Sequence, residues 1–134
     1  MKIRFLVAAA AALGLSGAAS AATTKAEFEA DKQRLEANYD VAKRKCDSYA
    51  GNAKDICSAE AKGRHKVAMT ELEERHNPSP KSRYNVRMAR ADAEYDVAKE
   101  KCDDRAGAQK DACLSEAKAA YARDKADAVA TQSR

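Results

Sequence analysis

The sequence has few of the large apolar side chains that usually build a protein core. It contains no Trp and two Phe in 134 residues. Beyond residue 21, the large aliphatic and aromatic core formers reduce to Phe28, Leu35, Leu72 and Leu114, apart from scattered Val, Ile, Met and Tyr. Fully burying a Leu or Phe stabilises a fold by about 1.5–3 kcal/mol, much more than burying an alanine methyl. We therefore expect a thin core that needs further stabilisation.

The sequence also lacks the motifs of common enzymes and cofactor sites. It has no nucleophile elbow, no Gly-rich phosphate loop and no H-E-x-x-H zinc helix. Its two histidines, His65 and His76, are not spaced as a helical metal pair. We expect no catalytic site, no cofactor and no metal site, and a protein that is not an enzyme.

The first 21 residues have the pattern of a secretory signal peptide. Lys2 and Arg4 precede an apolar stretch that is too short to anchor a protein in a bilayer. Small residues at 19–21 follow, as signal peptidase prefers. We expect export to a Gram-negative periplasm, with secretion into the medium as an alternative, and no integral membrane segment in the mature chain.

The net charge of the mature chain does not indicate a nucleic-acid partner. Without the leader, 23 Lys and Arg stand against 21 Asp and Glu, and the two signs alternate along the chain. A protein that binds nucleic acid usually concentrates positive charge on one face. We therefore expect no nucleic-acid binding.

A phrase of 24 residues occurs twice, at residues 39–62 and 95–118. The two copies are identical at 16 of 24 positions, at a constant offset of 56 residues. The segment "HNPSP" at 76–80 lies between them, and its prolines disfavour helix at the residues before them. The pattern predicts two units, residues 22–77 and 78–134.

Nearly all of the mature sequence favours helix. Ala, Lys, Glu and Arg dominate, and "TKAE" from Thr24 is a capping box. Apolar residues recur every three or four positions before each glycine, as in a packed helix face. Gly51 and Gly107 are predicted to end these helices in a left-handed conformation, and Asn52 to cap the next helix. We predict an all-α fold of two antiparallel helical hairpins in an elongated four-helix arrangement.

The cysteine spacing favours one disulfide in each hairpin. Cys46 and Cys57 are eleven residues apart, which is about 16 Å on an unbroken helix and too far for a disulfide. A turn at the intervening glycine brings them level, and the same holds for Cys102 and Cys113. The alternatives are crossed pairs joining two long helices, as in the mitochondrial twin CX9C proteins, or a zinc or thiol redox site.

A run of cations at the start of the third predicted helix opposes the helix dipole. A contact with an anionic partner would explain it, whereas the alternative is an exposed run that Asp92 and Glu94 compensate. The candidate contact residues are Lys81, Arg83, Arg87 and Arg90.

The repeated phrase, "YDVAKRKCD…AGNAKDIC…EAK" in its first copy, resembles a group of small exported proteins of Gram-negative, mainly betaproteobacterial, species. Some of these are labelled TolA-like cell-envelope proteins. The resemblance covers both copies of the phrase and implies an exported, helical protein, without implying an activity. From these features we expect a structural or protein-interaction protein of the envelope, with an unidentified partner; a homo-oligomer is compatible with it. The alternative is a stress-related periplasmic binder, either a holdase or a metal buffer.

Overall fold

The computed structural model describes residues 23–132, which form four α-helices and no strand. The helices are α1 (Lys25–Cys46), α2 (Gly51–His76), α3 (Pro80–Cys102) and α4 (Gly107–Gln132). The all-α prediction is confirmed. The predicted signal peptide at residues 1–21 lies outside the described residues.

The first and third helices begin where their sequence signals place them. The Thr24 hydroxyl accepts from the backbone N–H of Glu27, and the Glu27 carboxylate accepts from the backbone N–H of Thr24 at 2.8 Å. The backbone N–H of Thr24 and its hydroxyl both donate to the Glu27 carboxylate and hold the pKa of Glu27 below its ordinary value. Ser79 and Ser82 form the same reciprocal arrangement before α3, with Pro80 in its first turn.

Both predicted disulfides are present, and the crossed pairing is wrong. Cys46 is bonded to Cys57, and Cys102 to Cys113, with Cα atoms 5.5 and 5.6 Å apart. The described residues contain no free cysteine. Each hairpin is therefore closed covalently near its tip.

The prediction that the glycines end the first helix of each hairpin is wrong in position. Helices α1 and α3 end at Cys46 and Cys102, and each glycine is the first residue of the next helix. Their φ angles, +55° and +54°, are in the predicted left-handed region. The four residues between each cysteine and the next glycine, 47–50 and 103–106, reverse the chain. This reversal brings the disulfide partners level.

The prediction that Asn52 caps α2 is also wrong. The residue before α2 is Ala50, which makes no side-chain capping bond. The Asn52 amide instead donates a 2.8 Å hydrogen bond to the backbone carbonyl of Glu100 on α3. This residue therefore ties the tip of the first hairpin to the second hairpin.

The four helices lie side by side in one layer. Each helix contacts its neighbour along the chain, and no other pair of helices meets within residues 23–132. Cys57 and His65 lie on the side of α2 that faces α1. Gly63 and Lys66 lie on the side of α2 that faces α3. At about 100° per residue, these two sets lie on opposite sides of the helix. The layer therefore leaves two broad faces uncovered.

The two sequence units dock on each other. The most extensive helix contact joins α2 to α3, across the boundary predicted between residues 77 and 78. The structure thus has a central α2–α3 pair, with α1 and α4 attached at its sides by the disulfides and by smaller contacts.

The core is as thin as the composition predicts. Leu72 is its only fully buried large aliphatic side chain in the described part of the chain. The remaining buried apolar residues are Cys46, Ala61, Ala89, Ala91, Cys102, Ala117 and Ala128. None of the four helices combines the length and apolarity needed to cross a membrane.

The central pair approaches most closely at a glycine. A Cβ built on Gly63 would lie 2.7 Å from the Cβ of Ala93, well inside van der Waals contact. The equivalent position in the second repeat is Ala119, at the outer side of the layer. The absence of a side chain at Gly63 thus permits the contact that joins the two repeats.

We predict that Gly63→Ala destabilises the fold, although alanine favours a helix interior by about 1 kcal/mol over glycine. The added methyl must push α2 away from α3, so we expect a loss of about 1–3 kcal/mol in urea unfolding. Adding Ala93→Gly should recover part of the loss, because it removes the methyl that clashes. A more stable Gly63→Ala protein would contradict the close approach.

Candidate interaction surface

One face of the layer carries an apolar groove between α2 and α3, here named the α2–α3 groove. It has a volume of about 490 Å³. Its apolar lining residues are Gly63, Val67, Ala68, Ala93, Val97 and Ala98. Its charged lining residues are Glu60, Arg64, Glu71, Arg90, Glu94 and Lys101. An apolar floor with a charged rim is the usual composition of a protein-binding surface.

The groove follows from helical spacing on two antiparallel helices. On α2 and on α3, apolar residues recur four positions apart, as at Val67 after Gly63 and Val97 after Ala93. Val67 and Val97 are only half-buried, because no second layer of helices covers them. Sequence reasoning did not identify this groove, since its two walls belong to different repeats.

The opposite face carries a polar cleft of about 880 Å³ between α1, α2 and α3. Charged residues of both signs line it, including Asp40, Lys43 and Lys62. A 3.0 Å ion pair joins Lys43 to Asp40, and the hydrogen bond from Lys43 lowers the pKa of Asp40. This exposed cleft is lined mainly by polar surface and the groove mainly by apolar surface, so the α2–α3 groove is the better candidate for an interface.

Two stacked ring pairs occupy equivalent places in the repeats. Tyr39 stacks on His65 with ring centroids 4.6 Å apart, and Tyr95 stacks on Tyr121 at 4.8 Å. Tyr121 lies outside the apolar helix-face pattern read from the sequence. It follows His65 by 56 residues, which is the offset of the repeats, so it occupies the place that His65 has in the first repeat. The phenol is part of the packing between α3 and α4.

The two histidines contact rings and backbone. His76 packs against the Phe28 ring at 4.6 Å, and its Nδ1 lies 2.8 Å from the carbonyl oxygen of Thr23. The His65 Nε2 lies 3.5 Å from a carboxylate oxygen of Glu36, without hydrogen-bond geometry. Within the described residues, no three His, Cys, Asp or Glu side chains converge as a metal-binding group.

Asp92 connects three of the four helices. Its carboxylate accepts from the Lys66 ammonium on α2 and from the Tyr121 hydroxyl on α4, both at 2.6 Å. Partial burial tends to raise the pKa of Asp92, but the hydrogen bonds from Lys66 and Tyr121 outweigh burial and lower it. The same contact with Asp92 raises the pKa of Tyr121.

Three of the four residues predicted as a contact for an anionic partner share one surface pocket. Arg83, Arg87 and Arg90 line it together with Glu71, Glu74 and Arg75 of α2, and Arg90 is bonded to Glu71. Lys81 lies apart from this pocket, with its ammonium 5.8 Å from the centroid of the Tyr84 ring.

Asp92, one of the two acids expected to compensate this run, binds Lys66 of α2. Sequence spacing pointed to acids on the same helix, whereas the contacts of Arg90 lie on α2. Arg90 therefore takes part in the contact between α2 and α3.

Comparison with known proteins identifies no relative of this chain: no family model, no curated protein and no solved structure matches it.

We predict that Asp92→Asn lowers the free energy of unfolding by about 1 kcal/mol at pH 7, because two donors lose their carboxylate partner. The pKa of Asp92 is lower in the folded than in the unfolded chain, so its contribution is present above about pH 4 and is lost as the pH falls below that value. Urea unfolding from pH 7 to pH 2 should therefore show the two proteins converging in acid.

The matched control is Asp104→Asn, since Asp104 is exposed in the loop after α3. It should leave the free energy of unfolding nearly unchanged across the same range. A difference between wild type and Asp92→Asn that persists undiminished at pH 2 would contradict the role assigned to the carboxylate.

Proposed function

We propose that this chain is an exported, non-enzymatic interaction protein of the cell envelope, working in the periplasm. The observation that carries the proposal is the α2–α3 groove, an apolar strip with a charged rim on the open face of a one-layer fold. A helix layer normally buries its apolar face against another element. Covering this groove with a helical partner supplies that second layer.

Export is supported by the leader pattern and by the disulfides together. Residues 1–21 carry the charged, apolar and small-residue segments of a signal peptide. Stable disulfides form in the periplasm and are rare in the cytosol. The disulfides at Cys46 and Cys102 join helices whose shared core consists mostly of alanine.

The groove favours a protein partner over the stress-related alternatives. A metal buffer would need thiols, and all four cysteines are in disulfides. A holdase needs a broad apolar surface for unfolded chains. Six of the twelve residues that line the groove are charged, which favours a partner of complementary charge over unfolded chains in general.

We predict that a photo-crosslinking residue at Val97, introduced in the native cells, forms a discrete adduct in the periplasmic fraction. Val97 lines the groove, so an occupant lies within reach of the reactive group. The matched control is Val41, which is 58% exposed on α1 and does not line the groove.

The adduct should form from position 97 and not from position 41. Mature protein in the cytosolic fraction with reduced cysteines would contradict the proposed compartment. Equal labelling from both positions, or no adduct from either, would contradict a specific surface at the groove.

A further inference from the structure

We propose that the α2–α3 groove binds a second copy of this chain, so that the two α2–α3 pairs form one antiparallel four-helix bundle. This inference rests on the proposed use of the groove as an interaction surface and names its occupant. The six charges along the rim of the groove follow an order that is complementary to itself under a two-fold rotation.

The rim charges form three pairs across the groove, here called rungs, each made of one charged residue of α2 and the charged residue of α3 that faces it. From one end to the other, α2 presents Glu60, Arg64 and Glu71, which read negative, positive, negative. In the same direction, α3 presents Lys101, Glu94 and Arg90, which read positive, negative, positive. At every rung the two helices therefore carry opposite charges.

Contacts within the chain give the register of α2 on α3 and place Glu71 beside Arg90. The helices are in register at Gly63 with Ala93, at Lys66 with Asp92 and at Glu71 with Arg90. In this register Arg64 lies close to the level of Glu94, and Glu60 lies within about one to two helical turns of Lys101, a distance that long side chains can span. Among the described residues, Glu71–Arg90 is the one rung that forms an ion pair between the two helices. Arg64 pairs with Glu60 along α2 at 3.4 Å, an exposed contact that the intermolecular pairs would replace.

A two-fold axis parallel to the helices and above the groove makes these rungs intermolecular. Rotation about such an axis keeps each residue at its own level and places α2 of one copy over α3 of the other. Glu60 then meets Lys101 of the second copy, and Arg64 meets its Glu94. Every neighbouring helix pair in the resulting bundle is antiparallel, as in up-down-up-down four-helix bundles.

The alternative face-to-face arrangement, about an axis across the helices, is disfavoured by the same charges. It reverses one copy end to end and places Glu60 near Glu71 of the second copy and Lys101 near its Arg90. Like charges at an interface oppose association. The rim therefore selects one of the two arrangements.

The floor of the groove suits close packing of two identical faces. Gly63, Ala68, Ala93 and Ala98 are small, and Val67 and Val97 stand above them half-buried. A second copy presents the same small residues and the same valines, so the valines of one copy fill space over the alanines of the other. Both valines then become buried on association.

The test is sedimentation equilibrium of the mature, oxidised protein over a concentration series, with two charge reversals. Arg64→Glu places like charges opposite Glu94 of the second copy, twice in each dimer. We expect the dimer dissociation constant to rise by about tenfold or more. Glu94→Arg should have the same effect for the reciprocal reason. Lys62→Glu is the matched control, because Lys62 is exposed on the opposite face of α2 and should leave the dimer unchanged.

Mixing the two weakened variants distinguishes this interface from effects within one chain. The Arg64→Glu protein presents two acids and the Glu94→Arg protein presents two cations, so both rungs are complementary only in the mixed dimer. We expect the mixture to associate with a dissociation constant within about threefold of the wild-type value.

A monomer at all concentrations would overturn the dimer, as would a dimer that ignores Arg64→Glu or a mixture that fails to recover. A groove that binds a different protein instead would give a wild-type monomer in solution together with a Val97 adduct to another chain. That result would overturn the second-copy proposal and leave the interaction function standing. Loss of the Val97 adduct would count against the interaction function itself.

Discussion

The covalent closure of each hairpin is the constraint on which the rest of the structure depends. Alanine seams alone give little burial energy, and Leu72 is the one large aliphatic side chain that is fully buried within residues 23–132. Closing a loop of about a dozen residues stabilises by roughly 3 kcal/mol in chain-entropy terms, a large share of the stability of a small domain. The Cys46 disulfide therefore holds α1 on α2, and the Cys102 disulfide holds α4 on α3. Side-chain packing alone would hold these outer helices weakly.

The single layer is a consequence of the small side chains along the helices. Gly63 and Ala93 allow α2 and α3 to approach closely, and the contact aligns the two repeats in register. The polar cleft on one face contains an ion pair between Lys43 and Asp40, whereas the groove on the other face leaves valines half-buried. An interaction role is consistent with this asymmetry, because covering the groove buries apolar surface that the isolated layer cannot bury.

Local signals in the sequence were sufficient for much of the fold. The capping residues before α1 and α3, the helix-favouring composition and the cysteine spacing each act over a few residues, so they predicted the helices and the disulfide pairing. The helix ends were misplaced, because the reversal after Cys46 depends on where its disulfide partner lies. A glycine with positive φ was read as the end of one helix although it begins the next.

The candidate site depended on contacts between the repeats, which no local pattern encodes. Asn52 was predicted as a cap and instead bonds to Glu100, and Arg90, a candidate contact for an anionic partner, forms an ion pair with Glu71. Both residues lie at the α2–α3 contact. The register of that contact, set by Gly63 against Ala93, was needed before the charges on the two helices could be compared.

The most direct test of this account is the disulfide connectivity of the mature protein recovered from its native compartment, measured by non-reducing peptide mapping and mass spectrometry. Trypsin can cut between the two cysteines of each pair, at Lys54 and at Lys110. The account predicts linked peptides joining Cys46 to Cys57 and Cys102 to Cys113. Peptides joining cysteines of different repeats, or free thiols at these positions, would contradict it.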